Sequence, residues 1–124
     1  HLIDEVMPHL AGRISGAAVR VPTASVSAID LVVTLDRGMS PGLFEAELRA
    51  AVQTSPVLGW TDSPLVSSDL RTRPESLVIA GPETRMVGEH QVRVFGWYDN
   101  EWGFSARMLD MARRMAARHD PMIC

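Results

Sequence analysis

The segment Trp97-Tyr98-Asp99-Asn100-Glu101-Trp102-Gly103-Phe104 gathers the side chains best suited to chemistry, including the only tyrosine and the only asparagine of the chain. It lies where a strand pattern passes into a helix pattern, a position from which side chains are presented to ligands. Asn100 offers an amide donor and an acceptor, so it can read a carboxamide or cap the helix. Both uses stand open on the residues alone; under the capping use, Trp97, Trp102 and Phe104 are core. Arg20 is the second candidate, set in the otherwise apolar run Ala17-Ala18-Val19-Arg20-Val21. An arginine there reaches solvent, pairs with a carboxylate, or holds an anion in its planar fork. Most strand arginines do one of the first two, and the anion use needs support from elsewhere in the chain.

Other reactive types are placed less favourably. His1, His9, His90 and His119 show no metal-ligand spacing and read as surface residues, so no metal site is expected. Ser67-Ser68-Asp69 pairs hydroxyls with an acid, but no histidine is near in sequence, and the stretch reads as a strand end. The one cysteine, Cys124, is the last residue and follows His119-Asp120-Pro121. A catalytic thiol needs a preorganised, pKa-lowering setting, which a terminal position does not offer. One cysteine also excludes a disulfide framework. All 12 basic residues are arginine, which removes Schiff-base lysines and the lysine of a P-loop.

The 124 residues are 46% hydrophobic and 22% charged, the composition of one soluble globular domain. A net charge of -3 argues against a nucleic-acid partner. No run approaches the roughly 18 apolar residues of a membrane span, and His1 to Leu10 lacks the layout of a signal peptide. A cytoplasmic location is the resulting expectation. The chain opens on His1 and not on methionine, so it is expected to begin inside a longer reading frame.

The elements that must position these residues follow from periodicity. Leu2, Val6 and Leu10 recur at helical spacing, and Ala11-Gly12 ends that helix. Ile14 to Val21 reads as a strand closed by Pro22. Ser25 to Leu35 alternates with Ile29, Leu31, Val33 and Leu35 on one side, the pattern of a strand with one buried face. Ser40-Pro41 is an N-cap followed by proline at the first helical position, and Leu43, Phe44, Leu48, Ala51 and Val52 form one stripe, so a helix is predicted over Pro41 to Thr54. Short strands are predicted at Val57–Trp60, Leu65–Asp69, Leu77–Ala80, Thr84–Val87 and Gln91–Tyr98, separated by Pro- and Gly-bearing turns. Phe104, Met108, Met111 and Met115 share a face of a last helix ending near Arg118; such a methionine stripe is core or interface. The fold class is α+β, a mixed, largely antiparallel sheet with helices on one face and a C-terminal helix.

Two segments in order carry a family resemblance. Gly16-Ala17-Ala18-Val19-Arg20-Val21-Pro22-Thr23-Ala24-Ser25-Val26-Ser27, followed by Asp30-Leu31, resembles the G-x-x-x-R-V-P-T-x-x-V-S segment of the glyceraldehyde-3-phosphate dehydrogenase family. Trp97 to Ser105 resembles that family's W-Y-D-N-E-[WY]-G-[YF]-S signature, and Val66-Ser67-Ser68-Asp69 lies between them where the family has a similar V-S-x-D stretch. The similarity spans about Val6 to Ala116.

The resemblance implies an NAD- or NADP-dependent phosphorylating aldehyde dehydrogenase, a cytoplasmic homotetramer when full-length. In that family a cysteine thiolate attacks a phosphorylated aldehyde and inorganic phosphate releases the acyl group from the thioester. By the same resemblance Arg20 binds the substrate phosphate, Asn100 bonds the nicotinamide carboxamide, and Glu101 supports that geometry. Phe104 stands where many members have tyrosine, so a hydroxyl near the nicotinamide is absent. No G-x-G-x-x-G and no S-C-T-T-N segment occurs in the chain. Residues 1–124 are therefore expected to be the C-terminal portion of the catalytic domain. The Rossmann domain, the nucleophilic cysteine and the base histidine are expected upstream, and this portion alone is expected to be inactive. Two alternatives accompany this reading. One is a paralogue acting on erythrose 4-phosphate or coupled to arsenate; the other is a non-catalytic remnant acting as an oligomerisation module.

Overall fold

The computed structural model describes residues 2–118, ordered as α1 (Leu2–Val6), β1 (Ser27–Thr34), α2 (Pro41–Thr54), β2 (Leu58–Thr61), β3 (Leu77–Ala80), β4 (Arg85–Val87), β5 (Gln91–Tyr98) and α3 (Asn100–Arg118). Three 3-10 turns, at Pro8–Leu10, Ser67–Leu70 and Gly81–Glu83, join some of them. The longest strands, β1 and β5, pair antiparallel over their whole length, from Ser27↔Tyr98 to Thr34↔Gln91. The other edge of β5 is shared by two short strands. β3 takes the end that leads into α3, with Val78 opposite Trp97, and β4 takes the other end, with Val87 opposite Gln91. The turn at Gly81-Pro82-Glu83 lets the chain leave β3 and rejoin the same edge as β4. β2 then adds to β3 in parallel, giving the path β1-β5-β3-β2. The class is α+β with a mixed sheet, antiparallel in every pairing but one, as the sequence predicts.

A parallel pair requires a crossover or a long connection. The 3-10 turn and loop between β2 and β3 supply it, and α2 leads into β2. α2 has the bounds its caps predict. Ser40 Oγ accepts from Leu43 N at 3.3 Å, and Pro41 sits in the first turn, where its missing N–H costs nothing. Arg49 ties the helix to the end of β2. It donates to Glu45 on its own helix, donates to Asp62 at 2.6 Å, and stacks 4.2 Å above the Trp60 ring.

The core lies beneath the β5–α3 corner. Val26, Leu70 and Val78 form it, with Leu65 and Trp97 packed on top. Val26 has φ 71°, which puts a β-branched residue in the left-handed region. Such a conformation costs roughly 1–2 kcal/mol. Burying a valine side chain gains about 1.5–3 kcal/mol, so the core contact offsets a backbone strain of similar size. Beside it, the buried Ser25 Oγ has no hydrogen-bond partner among the described residues.

Four expectations need correction. Ile14 to Val21 is not a strand: residues 11–24 are exposed and carry no strand assignment, because no described strand offers them a ladder to complete. Leu65–Asp69 is not a strand either. The Asp69 carboxylate accepts from Val66 N at 2.9 Å, and this local bond curls Ser67–Leu70 into a 3-10 turn. The opening helix is short, since Pro8 breaks it into α1 and a 3-10 turn. Finally, the alternating face of β1 is not covered. Ile29, Leu31 and Val33 are all exposed, as is Val32 on the other face.

Candidate functional site

β5 ends at Tyr98 and α3 begins at Asn100, so one residue, Asp99, makes the corner. Its backbone carbonyl accepts from Gly103 N at 2.9 Å, the first bond of the helix, and its Oδ1 accepts from Trp102 N at 3.0 Å. Asp99 is therefore the N-cap, which corrects the capping use considered for Asn100. Asn100 is the first helical residue. The second carboxylate oxygen, Oδ2, accepts from Thr72 N at 2.9 Å and so ties the loop after the Ser67–Leu70 turn to the helix start. Asp99 is only 8% exposed. The Trp102 N–H foremost, then the Thr72 N–H, hold its carboxyl below the usual aspartate range despite burial, so it is a carboxylate at neutral pH. Its negative charge also faces the positive end of the α3 dipole.

The next turns of α3 rest on residues 74–76. A Cβ added to Gly103 would lie 3.0 Å from Glu75 O, so any larger residue would have to push the helix a few tenths of an ångström off this backbone. Arg107 donates to Pro74 O at 3.2 Å and to Ser76 Oγ at 3.0 Å, and its Nε donates to Asp110 at 2.9 Å. Gly103, Ala106, Arg107 and Asp110 thus form the face that the helix turns inward.

The corner presents the remaining candidates outward. Asn100 is exposed, and its side chain makes no hydrogen bond among the described residues. Glu101 is exposed, with its carbonyl accepting from Ser105 Oγ. Phe104 is 66% exposed and Trp102 is half-exposed, which corrects the expectation that both are core; Trp97 alone packs on it. Arg20 stands in the exposed segment before β1, with no hydrogen bond or ion pair among the described residues. The structure therefore shows two presentations, a hydrogen-bonded corner holding Asn100 and an exposed segment outside helix and strand holding Arg20, with no hydrogen bond between them among the described residues.

His9 and His90 are exposed, as expected, and His90 Nδ1 lies 3.0 Å from Leu35 O. His1, His119 and Cys124 lie outside the described residues. Among those described, no cluster of histidine and acidic side chains could hold a metal, and no helix is long and apolar enough to cross a membrane. A groove of about 270 Å³ lined by Phe44, Trp60, Thr84 and Met86 lies between α2 and β4 and includes none of the predicted site residues. Sequence reasoning missed Asp99 and Thr72. Aspartate directly before a helical pattern is an N-cap signal, so Asp99 was findable. Thr72 was not, because its φ of 64° is unusual for its residue type.

The described residues thus form a mixed α+β sheet whose strand β5 runs into a helix capped by Asp99, with the exposed amide of Asn100 at the turn. The family model for "Glyceraldehyde 3-phosphate dehydrogenase, C-terminal domain" matches residues 1–100. The chain is 44% identical over 115 residues to glyceraldehyde-3-phosphate dehydrogenase 2 of Bacillus subtilis, a match covering 91% of this chain and 34% of the relative. It is 46% identical over 115 residues to the glyceraldehyde-3-phosphate dehydrogenase of Pseudomonas aeruginosa (93% and 34%) and 42% identical over 114 to that of Zymomonas mobilis (90% and 34%). The chain belongs to the glyceraldehyde-3-phosphate dehydrogenase family, as part of its C-terminal domain. It spans about a third of the length of these curated relatives.

Proposed function

We propose that residues 1–124 supply the substrate-phosphate arginine and the nicotinamide-facing asparagine of a phosphorylating glyceraldehyde-3-phosphate dehydrogenase. The intact enzyme is proposed to work as a cytoplasmic homotetramer. It oxidises a phosphorylated aldehyde with NAD or NADP and inorganic phosphate, through a thioester on a cysteine outside this chain. The observation that carries the reading is the outward, unpaired amide of Asn100 at a corner fixed by Asp99. One amide donor beside one amide acceptor is the complement of a carboxamide, so the donor set fits a nicotinamide. That cofactor supplies the hydride acceptor when bound. Asn100 then orients the ring, Glu101 borders it, and Phe104 offers an apolar surface without a hydroxyl. Arg20, without a hydrogen bond or ion pair among the described residues, is available for a phosphate, whose oxygens match the guanidinium fork. The exposed faces of β1 and α3 support assembly with further protein surface.

Substitution of Arg20 tests the phosphate role. In the intact enzyme, Arg20→Ala is expected to lower kcat/KM for the phosphorylated aldehyde about 10- to 100-fold, the weight of a charged hydrogen-bonded contact. An unphosphorylated aldehyde should lose far less. Equal losses for both would refute the role. Comparing kcat/KM for glyceraldehyde 3-phosphate and erythrose 4-phosphate in the wild type separates this reading from the erythrose-phosphate paralogue.

A further inference from the structure

We propose that Asp99 is a positioning residue for the nicotinamide site, because its two carboxylate oxygens lock the start of α3, and with it Asn100, onto the strained turn at Thr72. The inference rests on the nicotinamide reading of Asn100. Each oxygen has its own task. Oδ1 caps the helix through Trp102 N and so fixes the backbone on which Asn100 is the first residue. Oδ2 accepts from Thr72 N, 27 positions back along the chain.

Thr72 is one of two described non-glycine residues with positive φ, and threonine is penalised there by its β-branch. A strained residue persists where its surroundings over-determine it. The buried charge of Asp99 provides that determination, since an ionised acceptor makes the stronger kind of hydrogen bond. On the far side, Gly103 and Arg107 press the next turns of α3 onto Glu75, Pro74 and Ser76. The helix start is thus gripped at Thr72 and again at residues 74–76. Asn100 lies beside the first grip, and among the described residues its side chain has no hydrogen-bond partner to hold it otherwise. Its direction is inherited from the backbone that Asp99 fixes.

Calorimetry on the intact protein tests this with NAD+ (NADP+ where the wild type binds it more tightly) and the matching ADP-ribose ligand, which lacks the nicotinamide. Asn100→Ala and Asp99→Ala are each expected to raise Kd for the dinucleotide about fivefold, as for loss of one hydrogen bond. Both should leave ADP-ribose within about twofold of wild type. Asp99→Ser keeps a cap but not the tether, so its Kd should fall between wild type and Asp99→Ala. Amide hydrogen exchange without ligand should quicken at Thr72 in both Asp99 variants and at Trp102 only in Asp99→Ala. A purely structural role would weaken both ligands equally, and that result overturns the proposal. An unchanged dinucleotide Kd in Asp99→Ala, with Asn100→Ala weakened, overturns the positioning role alone. If neither variant changes it, the nicotinamide reading of Asn100 falls and this inference with it. Should Asp99→Ala fail to fold, Asp99→Ser decides, and wild-type affinity for the dinucleotide in that variant overturns the tether.

Discussion

Asp99 holds a carboxylate under burial because two backbone N–H groups solvate it in place of water. That arrangement makes a pH signature. In the unfolded chain an aspartate titrates near 3.9, and in the folded one Asp99 titrates lower. Between the two values the unfolded state binds more protons, so stability falls as pH falls. The contribution is complete above the unfolded value and is lost as pH drops through the folded one. Asp99→Asn does not titrate and meets Thr72 N with either an amide donor or a single shared acceptor. The variant should therefore be less stable than wild type at pH 7, with the gap shrinking below about pH 4. Thermal melts of the intact protein at pH 7, 5, 4 and 3 measure this, and a gap that stays constant to pH 3 would assign the effect to shape and not to charge.

At the scale of elements, β5 is the part on which the others depend. It holds β1 along one edge and both β3 and β4 along the other, and it delivers the chain to α3. Gly96 is where this crowding is tightest. It pairs with Ile79, and an added Cβ would lie 2.8 Å from Leu77 Cδ1 and 3.0 Å from Val78 O. The Leu77 side chain can swing aside, but the ladder carbonyl of Val78 has to give by a few tenths of an ångström. Gly96→Ala is accordingly expected to destabilise the protein by about 1–3 kcal/mol, the range for overpacking, as read from denaturant midpoints. A neutral or stabilising result would mean that β3 shifts freely against β5. The same dependence explains what could be read in advance. α2 and β5 were legible because Ser40-Pro41 and the turn residues that bound the run Gln91–Tyr98 are local signals. The segment 14–21 has equally good strand residues but no described partner, and a strand is made by its neighbour. The alternation of β1 shows that a face is suited to burial and leaves unsaid what buries it. Of the proposed site, Arg20 and Asn100 are singled out by motif resemblance, while the Asp99–Thr72 tether depends on a loop conformation that threonine does not announce.

The molecule as a whole exposes more surface than its mass warrants. Its accessible surface is 9619 Å², against about 6,600 Å² for a compact monomer of the same mass. Among the described residues only Val26, Leu70, Val78, Ile79, Ala80 and Val92 are buried hydrophobics. On α3 the stripe Phe104, Met108, Met111 and Met115 is exposed, opposite in role to the face of Gly103, Ala106, Arg107 and Asp110 that meets the rest of the chain. Across the sheet, Ile29, Leu31 and Val33 of β1 are exposed as well. Apolar side chains grouped on the faces of two elements are the kind of surface that associates with another protein surface. A polypeptide of these 124 residues, prepared alone, should therefore self-associate and, on the function proposed above, show no phosphate-dependent NAD reduction. Sedimentation velocity across a concentration series measures the first point and an activity assay the second. Replacing Met108 and Met111 with glutamate should shift the species toward monomer, because each charge makes burial of the stripe costly. A sharply melting monomer at all concentrations would refute the apolar-surface argument, and measurable turnover would refute the division of the active site between this chain and sequence beyond it.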